Sequence, residues 1–241
     1  MIASTMADLD GFAQLHKGWL FRGQRDPNWE LATSLERTSK RCGADQVRYE
    51  KAVWEEFRRH AHSYMHRVPE DKDTVEWLAF MQHYGAPTRL LDFTQSFWIA
   101  LFFAFEESES DCVVVALNPA SLAPCLMGTD YNMLLRQNIE HGAHTDSFLR
   151  QTVPFYTNDR LAIQKGIFVY SMNLQRSFHD LVLENYKEIT KLVVPASLFA
   201  DIRDKLNEFN CNSRVLFPGI EGYGWYFRNL TISPRLEAGV Q

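Results

Sequence analysis

The sequence predicts an α+β fold in a single domain, on three observations. Apolar, β-branched runs at residues 112–117 (CVVVAL), 167–170 and 191–194 read as buried strands. Segments of helical period at 44–65 and 196–209 alternate with them. The chain of 241 residues carries no long polar or low-complexity tract that would divide it, so one core of good size is expected.

Composition narrows the functional classes. A hydrophobic fraction of 46% and a charged fraction of 23% belong to a soluble globular protein, and 13% aromatics predict a solid core and an aromatic-lined cleft. The net charge of -5 disfavours non-specific binding to nucleic acid or anionic membrane. The first residues lack the basic and apolar regions of a signal peptide, and the longest apolar run, 97–105, is about half of what a membrane span needs. Cys42, Cys112, Cys125 and Cys211 show no paired spacing, so neither zinc nor a disulfide framework is implied, and a cytoplasmic setting is expected.

Taken in order, Ser4 and Thr5 predict a capped N-terminal helix, followed by a strand from about residue 18 that ends in the polar turn Asp26-Pro27-Asn28. Arg22 stands beside Gly23 at that strand's end. It reads either as a surface or carboxylate-paired arginine, or as an anion clamp with Gly23 and Gln24, since a guanidinium offers planar bidentate donors. Thr33 to Arg37 form a second polar cluster. The helix at 44–65 carries His60 and His62, with His66 four further on, but no acidic partner follows the spacing of a zinc protease, so no metal is expected.

The stretch 82–96 packs more polar groups beside apolar surface than a core segment needs. A helix from 73 or 74 to 84 has Glu76 three after Asp73, as in a capping box, and Gly85 and Pro87 stop it. A helix from 94 or 95 to 107 is apolar all round and therefore buried, with Thr94 and Ser96 as its caps or as hydroxyls for a phosphate. Residues 120–158 are nearly unreadable apart from a helix near 131–140. A short strand is expected at 214–217 and an aromatic closing turn at 222–229. Arg160 and Gln164, before the 167–170 strand, read blandly as a salt-bridge partner and a backbone hydrogen-bonding residue.

Three separated pieces together resemble the FRG domain, named for its Phe/Tyr-Arg-Gly motif: Trp19-Leu20-Phe21-Arg22-Gly23-Gln24 with Thr33 to Arg37; His83 to Thr94 with Ala100 to Ala104; and Arg160 to Phe168. The likeness runs from about 19 to 225, departing at Phe93, where the family more often has Trp, and at Gly219, where Asp is common. A weaker similarity to ADP-ribosyltransferases lies in the order Arg22, then Thr94 and Ser96 before Ala100 to Ala104, then Gln164. That similarity implies a mixed, split β-sheet flanked by helices around NAD, with Arg22, Thr94 and Gln164 as catalytic groups. Gly23, Gln24, Tyr84, Arg89, Asp92, Ser96 and Arg160 would then be ligand-binding, Tyr84 stacking on the nicotinamide. Gln164 stands where a glutamate is usual. An amide can position but cannot serve as a base, so either Asp92 or Glu36 supplies charge or the site binds nucleotide without turnover.

The implied organisation is an N-terminal helix over 1–17, an FRG domain over 18–230 and a tail over 231–241. The implied function is a nucleotide-binding protein, an ADP-ribosyltransferase acting as a toxin or phage-defence effector, with a protein partner or antitoxin. The alternative is a non-catalytic interaction domain in which Arg89 pairs with Asp92, Arg22 pairs with Glu36, and Thr94 caps a helix. A metal hydrolase is disfavoured because no spacing gathers the eight histidines with acids.

Overall fold

The computed structural model describes residues 1–123, 129–142, 146–155, 159–185 and 188–228. Cys125 and the expected tail lie outside them. Chain order is α1 (Met6–Leu15), β1 (Leu20–Gln24), α2 (Ser34–Arg41), α3 (Gln46–Tyr64), α4 (Thr74–His83), β2 (Leu91–Thr94), α5 (Phe97–Phe105) and β3 (Cys112–Leu117). There follow α6 (Tyr131–His141), β4 (Leu149–Thr152), α7 (Asp159–Ile163), β5 (Gly166–Ser171), α8 (Phe178–Asn185), β6 (Ile189–Val194), α9 (Phe199–Glu208), α10 (Ser213–Leu216) and α11 (Ile220–Tyr226).

Local chemistry explains the boundaries. Thr5 and Thr33 each close a capping box, with Asp8 and Glu36 respectively, and so start α1 and α2. Asp73 precedes α4 but makes no side-chain cap, contrary to the expected box; the Glu76 carboxylate instead accepts from the Phe155 amide at 2.6 Å. Gly85, at φ 81°, takes the left-handed turn that ends α4. The expected strand at 214–217 is helical, because the Asn212 side chain accepts from the Val215 amide and caps a turn there.

The six strands form one sheet in the order β4-β5-β2-β1-β3-β6, and every adjacent pair is antiparallel. This corrects the mixed sheet expected from sequence: among the described residues the parallel contact is an isolated bridge from Ile2, which belongs to no strand, to Val193 of β6. The join between β1 and β2 is the weak seam. β1 pairs with β3 along its whole length, from Leu20–Leu117 to Gln24–Val113, and β2 pairs with β5 from Leu91–Val169 to Thr94–Gly166. Between β1 and β2 only Phe21 and Thr94 are in register, and beyond that pair the strands part.

Each half of the sheet has its own helical cover. Phe21, Val114, Ala116 and Leu192 pack with α5, Leu9 of α1 and Ile202 of α9, while Phe168 and Tyr170 pack with Trp54 of α3, Leu78 of α4 and Leu135 of α6. On the opposite face, Leu20, Phe93, Val115 and Val169 meet Leu181 and Val182 of α8. α5 is apolar on all sides and has seven of its nine residues buried, as its sequence predicts. The two helical groups stand on either side of the seam, and that is what leaves room for a cleft.

Candidate functional site

The seam opens into a cleft of about 1670 Å³. Ligand pockets usually run to ~300–1,000 Å³, so this one accommodates a dinucleotide-sized molecule. Arg22, Gly23 and Gln24 line it from β1, and Asp92 and Thr94 from β2. Tyr84, Arg160 and Gln164 also reach it. Eight of the ten residues expected at the site are therefore brought to one hollow, and Arg89 and Ser96 are not.

Arg22 occupies the fork. Its Nη1 donates to the main-chain carbonyl of Asp92 at 2.8 Å, bridging the strands where their own ladder has stopped. Its Nε is shielded from solvent without a partner, and among the described residues no carboxylate forms an ion pair with it. Burial pulls this guanidinium below its ordinary pKa and Arg37 adds to the effect, while Asp92 opposes it. The expected pairing with Glu36 does not form. Glu36 accepts from the amides of Thr33 and Phe178 at 3.2 and 3.1 Å, so it joins α2 to the start of α8.

Gly23 exists because α5 comes so close. A Cβ there would lie 2.0 Å from the Ala100 carbonyl oxygen and 2.6 Å from the Ala104 nitrogen, so any side chain would push β1 off the helix. Gln24 is only 6% exposed: its Nε2 donates to the Glu30 carbonyl at 3.1 Å and its Oε1 is buried without a partner.

On the far side of the fork, Thr94 is buried and doubly used. Its Oγ1 donates to the Gln164 carbonyl at 2.7 Å and accepts from the Ser96 amide at 3.1 Å. The Gln164 side chain donates from Nε2 to the Leu216 carbonyl at 2.8 Å. Both residues border the cleft, but these donors serve the architecture. Ser96 takes the bland role, capping α5 by accepting from the Ile99 amide at 3.4 Å.

Asp92 is exposed, and its orientation is set from behind. Gln82 Nε2 donates to Asp92 Oδ1 at 2.8 Å, while Gln82 Oε1 accepts from Thr88 Oγ1, which itself accepts from the Leu90 amide. Because the Asp92 carboxylate only accepts, the Gln82 NH₂ faces it, which leaves Gln82 Oε1 to take the Thr88 hydroxyl proton. Met81 fills the core stripe of α4 and Gln82 the cleft wall.

Arg160 lies with its guanidinium carbon 4.5 Å over the Phe217 ring and, like Arg22, forms no ion pair among the described residues. Burial lowers its pKa while Asp92 and Glu221 oppose that shift. His83, also on the wall, is held below the ordinary histidine value by burial and by Arg160. Tyr84 is 52% exposed, with its ring 4.9 Å from that of Phe80 in an edge-on arrangement.

Arg89 does the opposite of what its place in the motif implied. It is 1% exposed and pairs not with Asp92 but with Glu50 of α3, through Nε at 2.7 Å and through Nη2. Its Nη1 donates to Asn138 Oδ1 at 2.6 Å and to the Ser171 carbonyl at 3.0 Å. No signal in the sequence linked Arg89 to a glutamate in α3, with the whole of α4 between them.

Sequence reasoning also missed one wall, residues 66–70. Asp71 anchors it, accepting from Arg136 Nη1 at 2.8 Å and from Arg58, whose guanidinium sits 4.6 and 5.2 Å from the rings of Trp54 and Trp77. His66 belongs to this wall, beyond the end of α3, whereas His60 and His62 are exposed on the helix. Among the described residues, no three His, Cys, Asp or Glu side chains gather as a metal site. None of their helices is long and apolar enough to cross a membrane.

No curated protein and no solved structure matches the chain. A family model does, over the stretch that contributes Arg22, the capping box of α2, the buried Arg89, and the Asp92 side of the fork. Residues 17–112 are similar to the FRG domain.

Proposed function

We propose that the cleft binds a nucleotide diphosphate, with NAD as the ligand it fits best, and that the protein is an ADP-ribosyltransferase. The observation that carries the reading is Arg22: a cation at the floor of a large cleft, with a shielded, unpartnered Nε and no carboxylate to neutralise it. Arg22 is half-buried, and a guanidinium taken part of the way out of water without a counter-charge is explained by an anionic ligand. Arg160 supplies a second guanidinium on the opposite bank, and two such forks match the oxygens of a diphosphate. Tyr84 presents a half-exposed ring for a planar base.

NAD supplies a labile bond between nicotinamide and ribose, whose cleavage frees an ADP-ribosyl group for transfer. The residues here serve that chemistry by holding the phosphates and orienting the ribose, which is where most of the rate gain lies when a ligand fragments. Gln164 acts as a positioning residue, tying the turn before β5 to Leu216. The alternative reading, a structural network, applies to Arg89 specifically, because every one of its recorded partners is buried protein.

The test is thermal denaturation with NAD. Ligand at about 100 times its Kd stabilises by ~2.7 kcal/mol, and the wild-type protein is expected to show that rise and Arg22→Ala to lose it. Arg22→Ala by itself forfeits one hydrogen bond and should melt within ~2–4 °C of wild type. A wild-type protein that neither melts higher in millimolar NAD nor releases nicotinamide refutes the proposal.

A further inference from the structure

Resting on the nucleotide-diphosphate reading, we infer that Asp92 is the specificity-determining residue of the cleft, selecting a diphosphate that carries a sugar over a bare inorganic anion. A carboxylate between two anion-binding arginines is at first sight misplaced. Asp92 opposes the shifts of both Arg22 and Arg160, so its charge reaches both, yet it forms a close ion pair with neither. For a simple phosphate or pyrophosphate, that negative charge is a penalty.

The structure nonetheless invests in keeping it there. Asp92 Oδ1 is held at 2.8 Å by the Gln82 amide, whose oxygen is itself engaged by the Thr88 hydroxyl. Its Oδ2 accepts no hydrogen bond among the described residues. A second acceptor, the buried Oε1 of Gln24, lies on the same cleft lining without a donor. A buried acceptor left unpaired is costly, so this one too calls for a donor from the ligand. The site therefore offers guanidinium donors for an anion and, beside them, oxygen acceptors for hydroxyl groups. The chemical class that satisfies both is a pentose linked to a diphosphate, whose vicinal hydroxyls donate where the phosphates accept.

Asp92→Asn separates the two requirements. The asparagine keeps its oxygen toward Gln82, and Arg22 is undisturbed because it binds the main-chain carbonyl of residue 92. What changes is the atom facing the cleft, from an acceptor to an NH₂ donor, together with the loss of one negative charge. Calorimetry on the full chain should show inorganic pyrophosphate binding as tightly as in the wild type or tighter, and ADP-ribose about tenfold weaker. Gln24→Met should weaken ADP-ribose and leave pyrophosphate unchanged. If ADP-ribose and pyrophosphate shift together in Asp92→Asn, the assignment of Asp92 fails while the anion site stands. If the wild-type protein binds neither compound, the nucleotide reading and this inference fall together.

Discussion

Glu50→Gln tests the division of labour between the two motif arginines. The substitution is nearly isosteric, but it leaves the Arg89 guanidinium, 1% exposed, without its counter-charge and turns an NH₂ toward a group that is already all donor. Breaking one member of a buried pair costs ~3–5 kcal/mol. In a domain of this size each kcal/mol moves Tm by ~2–4 °C, so a fall of ~6–20 °C is expected. Glu55→Gln is the control, since Glu55 faces Lys51 at 3.9 Å on the half-exposed side of the same helix and such pairs contribute ~0–1 kcal/mol. Scanning fluorimetry or urea denaturation reads both. The double variant Glu50→Leu with Arg89→Met should recover much of the loss, because it removes the orphaned charge as well as the pair. A Glu50→Gln protein that melts no lower than Glu55→Gln would refute the view that Arg89 is a structural residue, and would return it to the list of ligand-binding candidates.

Two further outcomes follow from the cleft's walls. Gly23→Ala places a Cβ 2.0 Å from the Ala100 oxygen; because the neighbour is helix backbone and cannot yield, a loss of ~1–3 kcal/mol is expected, and an unchanged Tm would mean that β1 is not held by α5. His83 should titrate below the ordinary histidine value in an NMR pH series, and Arg160→Ala should raise it only part of the way, burial being the larger cause; no movement on removing Arg160 would show that the two side chains do not interact.

The parts of the fold legible in sequence were those where one period dominates. The uninterrupted apolar run of β3, the amphipathic α3 and the wholly apolar α5 were all expected close to their observed limits. β2 escaped notice because four residues, Leu91 to Thr94, are too few to show alternation beside so many polar neighbours. The run at 214–217 read as a strand because Val215, Leu216 and Phe217 are consecutive and apolar, and only the cap from Asn212 decides for helix. At the site, the residue types were legible and their partners were not. Arg22 and Arg89 stand in similar local settings, each near a glycine or leucine and an aspartate, yet one is saturated and the other is not. The difference lies in Glu50 and Asn138, 39 and 49 positions away along the chain, where no local pattern could point to them.

The fork itself is held open from outside. Gly23 lets β1 lie against α5, and β1 is paired to β3 along its full length on its outer edge. β2 is bound just as firmly the other way, by its ladder with β5, by Thr94 to the Gln164 carbonyl, and by the Gln95 amide to the Lys165 carbonyl at 3.1 Å. Each strand is thus committed to its own half of the sheet before β1 and β2 meet, and Phe21–Thr94 is the one place where both commitments allow a pair. Closing the seam would require breaking one of those ladders, so the cleft is already formed before any ligand arrives, which spares a ligand the cost of opening it. Arg22 then has a reason to be where it is: it donates to Asp92's carbonyl, an acceptor that the parted ladder would otherwise leave unserved, and keeps its remaining N–H groups for the molecule that enters.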